Sequence, residues 1–568
     1  MNYLHMGLVL FLILVFLPVG VLMAGAGPNY KADGAAELIS EDYSRGLITR
    51  ADRIYYNLQT MYAPEALPDR YKSQVVSPMK SGTPLINEAI DNWDLLNPDQ
   101  QAVLSSYLAR PTLQLTFISL DGKFAIHYDT SGLNSVPLED LDADSIPDYI
   151  ERIGQYADSA YRFYQIDLGF LPPPDDGDSL YDFFVFRIGN YYGGTVRESA
   201  GDSSWGDWSS HIEIHNTMAF APPNDDPEGP VVGALKVTCA HEYFHATQMA
   251  YAYKPSPDLW WTEGTAVFFE NKTYDEVNDH YCYLPYFFNY PDTSLIDTNY
   301  FSWTYHDYST FIWPTYLVEK FGIGIIRNVW EYLRWYDVLP SLDSALYPFG
   351  KTVQAIFPEF TAWNYFTQDR ADTAYYDDGA DYPHILIDQV VLTCEFTGLT
   401  AYRPPDGLAS NYILTVNNPS GNGLLMLRFD GSNSVKWGFS YITFDDDIAD
   451  LTTGCAVSSV GKTDCAIYDF ARYDSMVFIP CVVSQWQDDN PYVFDTEIHP
   501  FGDVDGSGAV NILDVTYLMN YLYKNGLPPK YAYYMGDTNC NGQINILDVS
   551  YLVSYLYKSG PEPCGYRD

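Results

Sequence analysis

One short stretch restricts this chain more than any other: His241-Glu242-Tyr243-Phe244-His245, followed by Trp260-Trp261-Thr262-Glu263-Gly264-Thr265-Ala266. Each residue of an α-helix turns about 100°, so positions four apart share a face. His241 and His245 can then bind one ion. Glu242 points beside that ion, where it can take a proton from an attacking water. Catalytic zinc commonly takes three protein ligands, and Glu263 is the expected third. Val237, Ala240, Phe244 and Tyr251 form an apolar stripe at helical spacing, and Pro255 and Pro257 end the segment. Seventeen residues separate His245 from Glu263, room for a helix end, a loop and the start of a second buried helix that closes at Glu270. The spacing predicts two buried helices meeting at a metal.

These motifs resemble the gluzincin metallopeptidases, in which HExxH is followed by a glutamate in a W-x-x-E-G-x-A context. The resemblance implies zinc on His241, His245 and Glu263, Glu242 as general base, hydrolysis of a protein or peptide substrate, and a recurrent glutamate at Glu270. The spacer is one residue shorter than in the aminopeptidase branch. That branch's Gly-x-Met-Glu-Asn segment is missing, so an endopeptidase is expected. An edge strand that pairs with extended substrate is implied for Ser210 to Met218. His211 and His215 on it are expected to be surface or core residues. Tyr308, with His306 as the alternative, is the expected oxyanion donor.

The C-terminus carries a second signal. Asp503, Asp505, Ser507, Asn511 and Asp514 fall at positions 1, 3, 5, 9 and 12 of a loop, and Asp537, Asn539, Asn541, Asn545 and Asp548 repeat the pattern 34 residues later. Position 6 is glycine both times, and position 7, Ala509 or Gln543, offers its carbonyl. That is the logic of an EF-hand calcium loop. An apolar helix is expected after each loop, Ile512 to Tyr523 and Ile546 to Tyr557. This half-hand repeat resembles a type I dockerin over residues 499–568, which implies Ca2+ and a cohesin-type partner. Its recognition pair departs from the polar residues of many dockerins, being Ile512-Leu513 and Ile546-Leu547. Two readings stand: a docking module, or a calcium-stapled cap on its own chain. A disulfide between Cys540 and Cys564 is expected to close the unit. A third acidic loop, Asp140, Asp142, Asp144, Asp148 and Glu151, repeats the 1, 3, 5, 9, 12 spacing with Ser145 at position 6 and is a further calcium candidate.

Residues 1–26 run apolar from Met6 to Met23 and end in Ala24-Gly25-Ala26, the pattern of a cleaved signal peptide, with an uncleaved anchor as the alternative. The chain is thus expected to be exported, secreted or held at the cell surface, with no membrane span after cleavage. A net charge of −44 repels nucleic acid. Cys455 and Cys465 are close enough for a hairpin clasp, and Cys239 is expected to be a small buried residue. The expected fold is multidomain α+β. A mainly helical region at 27–112 (Glu37 to Thr60, Asn87 to Leu108) can serve as a prosegment. A gluzincin-like metallopeptidase domain follows at 113–395, a small β-sandwich at 396–498, and the dockerin-like pair of loop-helix units at 499–568. The alternative function is a non-catalytic, calcium-dependent adhesion or scaffold protein with a vestigial peptidase fold.

Overall fold

The computed structural model describes residues 34–72, 78–251, 258–297, 305–417, 423–445, 448–452, 461–485 and 487–564. The expected signal peptide and Cys455 lie outside them. No described helix is long and apolar enough to cross a membrane.

The N-terminal region is helical, as α1 Ala35–Ser44, α2 Arg50–Tyr62, α3 Thr83–Asp91 and α4 Pro98–Tyr107, with one short strand, β1 Met79–Ser81. The sequence marks Glu37 to Thr60 as mainly helical. The chain breaks this stretch at Gly46, whose φ of +68° is a left-handed conformation that favours glycine. Asn92 caps the end of α3, and Asn97 with Gln100 forms the capping box that opens α4, so the stretch from Asn87 to Leu108 is also two helices.

Strands β2 Leu115–Ile118, β3 Phe124–Tyr128, β4 Tyr181–Phe186, β5 Tyr191–Ala200 and β6 Trp208–His215 form the central sheet with β1, in the order β1-β5-β6-β4-β3-β2. β3, β4 and β6 run parallel, β5 is antiparallel to β6, and β1 is parallel to β5. The predicted edge strand is therefore interior: β6 has β4 on one side and β5 on the other. The HExxH helix packs on both β5 and β6, and the outer edge of β5 carries β1.

Helices α5 Asp148–Tyr161 and α6 Pro230–Gln248 pack on this sheet, and α7 Leu259–Thr273 packs on α6. α6 and α7 are buried on nearly every side, polar residues included. Their core includes Phe244, Trp261, Ala266 and Phe269. Around them lie α8 Pro285–Phe288, α9 His306–Ser309, α10 Ile312–Phe321, α11 Gly324–Leu333, α12 Val338–Leu346 and α13 Val353–Trp363.

The following β-region has two facing sheets. β7 Gln389–Val391, β8 Ala409–Ser410, β9 Ile413–Val416, β11 Trp437–Asp445, β12 Ile448–Thr452 and β14 Ser475–Val482 make one, and β10 Gly423–Gly431, β13 Lys462–Tyr468 and β15 Tyr492–Pro500 the other. Leu425, Leu427, Phe439, Phe478 and Phe494 fill the space between them. β15 leads into the C-terminal module, whose helices are α14 Ile512–Tyr523 and α15 Ile546–Lys558.

Candidate metal centres

Pro230 at the first position of α6 and Gly229 before it, at φ +104°, fix where the helix begins. His241 and His245 consequently sit one turn apart on the face that meets α7. Glu263 lies in the second turn of α7, since that helix starts at Leu259 rather than at the glutamate. The three side chains converge. His241 Nε2 is 3.0 Å from His245 Nε2 and 3.3 Å from one Glu263 oxygen, and His245 Nε2 is 3.2 Å from the other.

The two imidazoles are oriented from behind. His241 Nδ1 donates to Glu270 Oε1 (2.5 Å) and His245 Nδ1 donates to Gln248 Oε1 (2.9 Å), while Gln248 Nε2 donates to the Thr262 carbonyl (2.8 Å). With both Nδ1 atoms donating, both Nε2 atoms present lone pairs to the same point. Neither Glu263 oxygen makes a hydrogen bond, although the residue is 1 % exposed. Lone pairs and a carboxylate facing one another in a buried space suit a cation. Ligands on a tetrahedral ion with bonds of about 2.1 Å lie about 3.4 Å apart, so this donor set fits zinc. Burial pushes the His241 imidazole down, yet the Glu270 carboxylate, with Glu263 and Glu242, raises it to about 10. Burial pushes Glu263 up, and His245 and His241 outweigh it, lowering the carboxyl to about 2.

Glu242 lies one step round the helix and is fully buried. Its Oε2 accepts from the hydroxyls of Thr83 and Thr195, each at 2.7 Å, and its Oε1 has no protein partner. β5 approaches so closely here that a Cβ on Gly193 would lie 3.1 Å from Glu242 Cγ and 2.9 Å from the Glu213 carbonyl. The ring of Tyr308 lies 6.2 Å from that of His241 and stacks on Tyr283. His306 is directed elsewhere: its Nε2 bonds the Ser294 carbonyl (2.9 Å). His211 and His215 are buried, with His211 on Glu198 and His215 accepting from the Thr217 amide. Cys239 is buried and free, and burial holds its thiol above the ordinary range.

Several supporting residues carry no sequence signal. Lys80 of β1, itself buried, pairs with Glu270 Oε2 (2.5 Å) and with Asp279. Burial alone would lower this ammonium, but Asp279 and Glu270 hold it above its usual range. Thr83 and Thr195 reach Glu242 from α3 and β5. Gln248 is the exception, since three residues after His245 it shares the helix face and is visible in the sequence.

In the C-terminal loops the ligand residues also shape the backbone. Asp503 accepts from the Ser507 and Gly508 amides, and Asp537 from those of Asn541 and Gly542. Gly508 and Gly542 have φ of +88° and +82°. Asn511 with Asp514, and Asn545 with Asp548, form the capping boxes that start α14 and α15, so positions 9 and 12 serve loop and helix together. Asp503, Asp505 and Asp514 cluster closely enough to share an ion, and burial with those two neighbours pushes Asp514 up to about 6. Ala509 and Gln543 stand at position 7. Cys540 and Cys564 are disulfide-bonded. In the acidic loop before α5, Asp140, Asp142 and Asp144 cluster, while Asp148 accepts from the Leu141 amide. Glu151 is one turn into α5, and Ser145 takes the left-handed conformation at φ +80°.

The module's two faces differ. Phe501 and Met535 pack on Leu424 and Met426 of β10, so one face lies against the chain's own sandwich. The Ile-Leu pairs stay in solvent, at 47 % and 58 % exposure for Ile512 and Leu513 and 44 % and 60 % for Ile546 and Leu547.

Comparison with curated proteins finds no match to the chain. Comparison with protein families matches residues 501–557 to the dockerin type I domain. The C-terminal module is a type I dockerin domain, a calcium-binding unit of extracellular or cell-surface proteins that implies a cohesin partner.

Proposed function

We propose that the chain is a secreted zinc-dependent metallopeptidase of gluzincin type, an endopeptidase delivered to a cohesin-bearing partner by its dockerin domain. The observation that carries this reading is the convergence of His241 Nε2, His245 Nε2 and Glu263 within 3.3 Å of one another, with the carboxylate making no hydrogen bond. These three residues would hold zinc, which when bound supplies a Lewis acid for the scissile carbonyl and for water.

The chain's own groups do the rest. Glu242 Oε1 takes the proton of the attacking water and passes it to the leaving amine nitrogen as the C–N bond breaks. Tyr308, beside His241, donates a hydrogen bond to the oxyanion. Glu270 and Gln248 keep both imidazoles turned toward the reaction centre. The proposed calcium ligands are those of the two dockerin loops and of the loop at Asp140.

One observation favours the second reading, a calcium-dependent scaffold without turnover: His241, Glu242, His245 and Glu263 are at most 1 % exposed. Digesting a peptide library with the purified protein, with and without chelator, and counting bound metals decides between them. Stoichiometric zinc with chelator-sensitive cleavage is expected, and calcium alone without cleavage gives the scaffold.

A further inference from the structure

Building on the peptidase reading, we infer that the β1–α3 junction is a substrate-like plug that holds the full chain at a low basal turnover until this segment is displaced. Extended peptides commonly bind by adding a strand to a free sheet edge, through main-chain hydrogen bonds that are indifferent to sequence. Beside Glu242 that edge is the outer side of β5, and the chain has already filled it. Met79 pairs with Tyr191 and Ser81 with Gly193. The Met79 amide donates to the Asn190 carbonyl (2.9 Å), and the Gly82 amide to the Gly193 carbonyl (2.8 Å).

Thr83 makes the plug specific to the site. Its hydroxyl oxygen accepts from the Thr195 amide (2.7 Å), the β5 donor that an added peptide would meet with a carbonyl. The same hydroxyl donates to Glu242 Oε2 (2.7 Å). One side-chain oxygen thus stands in for a substrate carbonyl and engages the base. The plug survives because a hydroxyl, which cannot be hydrolysed, faces Glu242, and because α3 starts at Thr83 and turns the backbone away.

Two further anchors hold the segment. Lys80 neutralises the buried carboxylates Glu270 and Asp279, and Ile86 joins the cluster that covers Tyr191 and Val196 of β5. The HExxH groups are then shut away from any protein-sized substrate. The connection from α4 to β2 runs over the surface, with Ala109 and Thr112 exposed, and offers the place where the region can be separated.

The test inserts a site-specific protease sequence after Thr112 in the full chain. Diethyl pyrocarbonate labelling of histidines, which needs no metal and no turnover, is read by mass spectrometry alongside cleavage of a fluorogenic peptide library. Part-exposed His384 is the internal control. After cutting and native gel filtration, the N-terminal fragment is expected to separate. Labelling of His241 and His245 and peptide turnover should then rise at least about tenfold, as the competent fraction grows, and returning the fragment should reverse both. Thr83→Val in the uncut chain should raise turnover several-fold at unchanged zinc content.

A fragment that stays bound with both histidines unlabelled, or a Thr83→Val chain that loses turnover, overturns the plug. Equal turnover before and after separation overturns it while keeping the peptidase. Labelling that rises with no turnover in either form keeps the plug and removes the peptidase.

Discussion

The HExxH centre and the dockerin loops both gather donors for a cation, but they do so on different scaffolds. The first takes nitrogen and carboxylate ligands from two buried helices joined across 17 residues, and each imidazole is held by a second residue behind it. The second takes oxygens from a 12-residue loop whose own amides and helix cap hold the ligands. Donors on packed helices are placed by the whole fold, so their geometry persists with or without an ion. Donors on a short loop next to a small core depend on the ion to stay gathered. Rigidity suits chemistry at a fixed point, and ion-dependent ordering suits a module whose task is attachment.

Changes at the first centre should therefore affect rate or zinc and leave the fold intact. Glu242→Gln is expected to keep stoichiometric zinc and lose at least about a hundredfold in peptide turnover. Full turnover in this variant would remove the assigned base. Glu270→Gln should weaken zinc by about 10–100-fold in competition with a chelating dye, because His241 loses its carboxylate. If zinc affinity holds, the helices alone position the imidazole.

Calcium removal should strike the other region. Amide exchange should accelerate in α14 and α15 and stay unchanged in α6 and α7. Within the module, the first loop has three carboxylates, Asp503, Asp505 and Asp514, where the second has Asp537 and Asp548 with asparagines between. Calorimetry should find the first loop tighter by roughly an order of magnitude, since ligand charge tunes affinity. The smallest effect concerns the module's two faces. Leu513→Ser should shift stability by less than about 0.5 kcal/mol, whereas Met535→Ala, buried against β10, should cost about 2–3 kcal/mol in thermal unfolding.

What was legible in the sequence follows from distance along the chain. Two histidines four apart, and oxygens at fixed loop positions, are local patterns. α14 occupies Ile512–Tyr523, the segment the sequence marks out. The edge strand was misplaced because alternation in Trp208–His215 reports a pleated strand and says nothing of which strands flank it. Lys80 and Thr83 are invisible because no period links them to the motif: Thr83 and Glu242 are 159 positions apart. The sequence also marks the N-terminal region as a separate helical unit, and only tertiary pairing places its one strand on the central sheet.

The junction between sandwich and dockerin has its own consequence. β15 ends at Pro500, Asp503 opens the first calcium loop, and His499 Nδ1 is 2.7 Å from that aspartate. Among the described residues there is no tether here on which the rest of the chain can swing. A scaffold that grips the exposed Ile-Leu pairs would hold the whole chain in one attitude, so the orientation of the HExxH helix is inherited from the docking geometry.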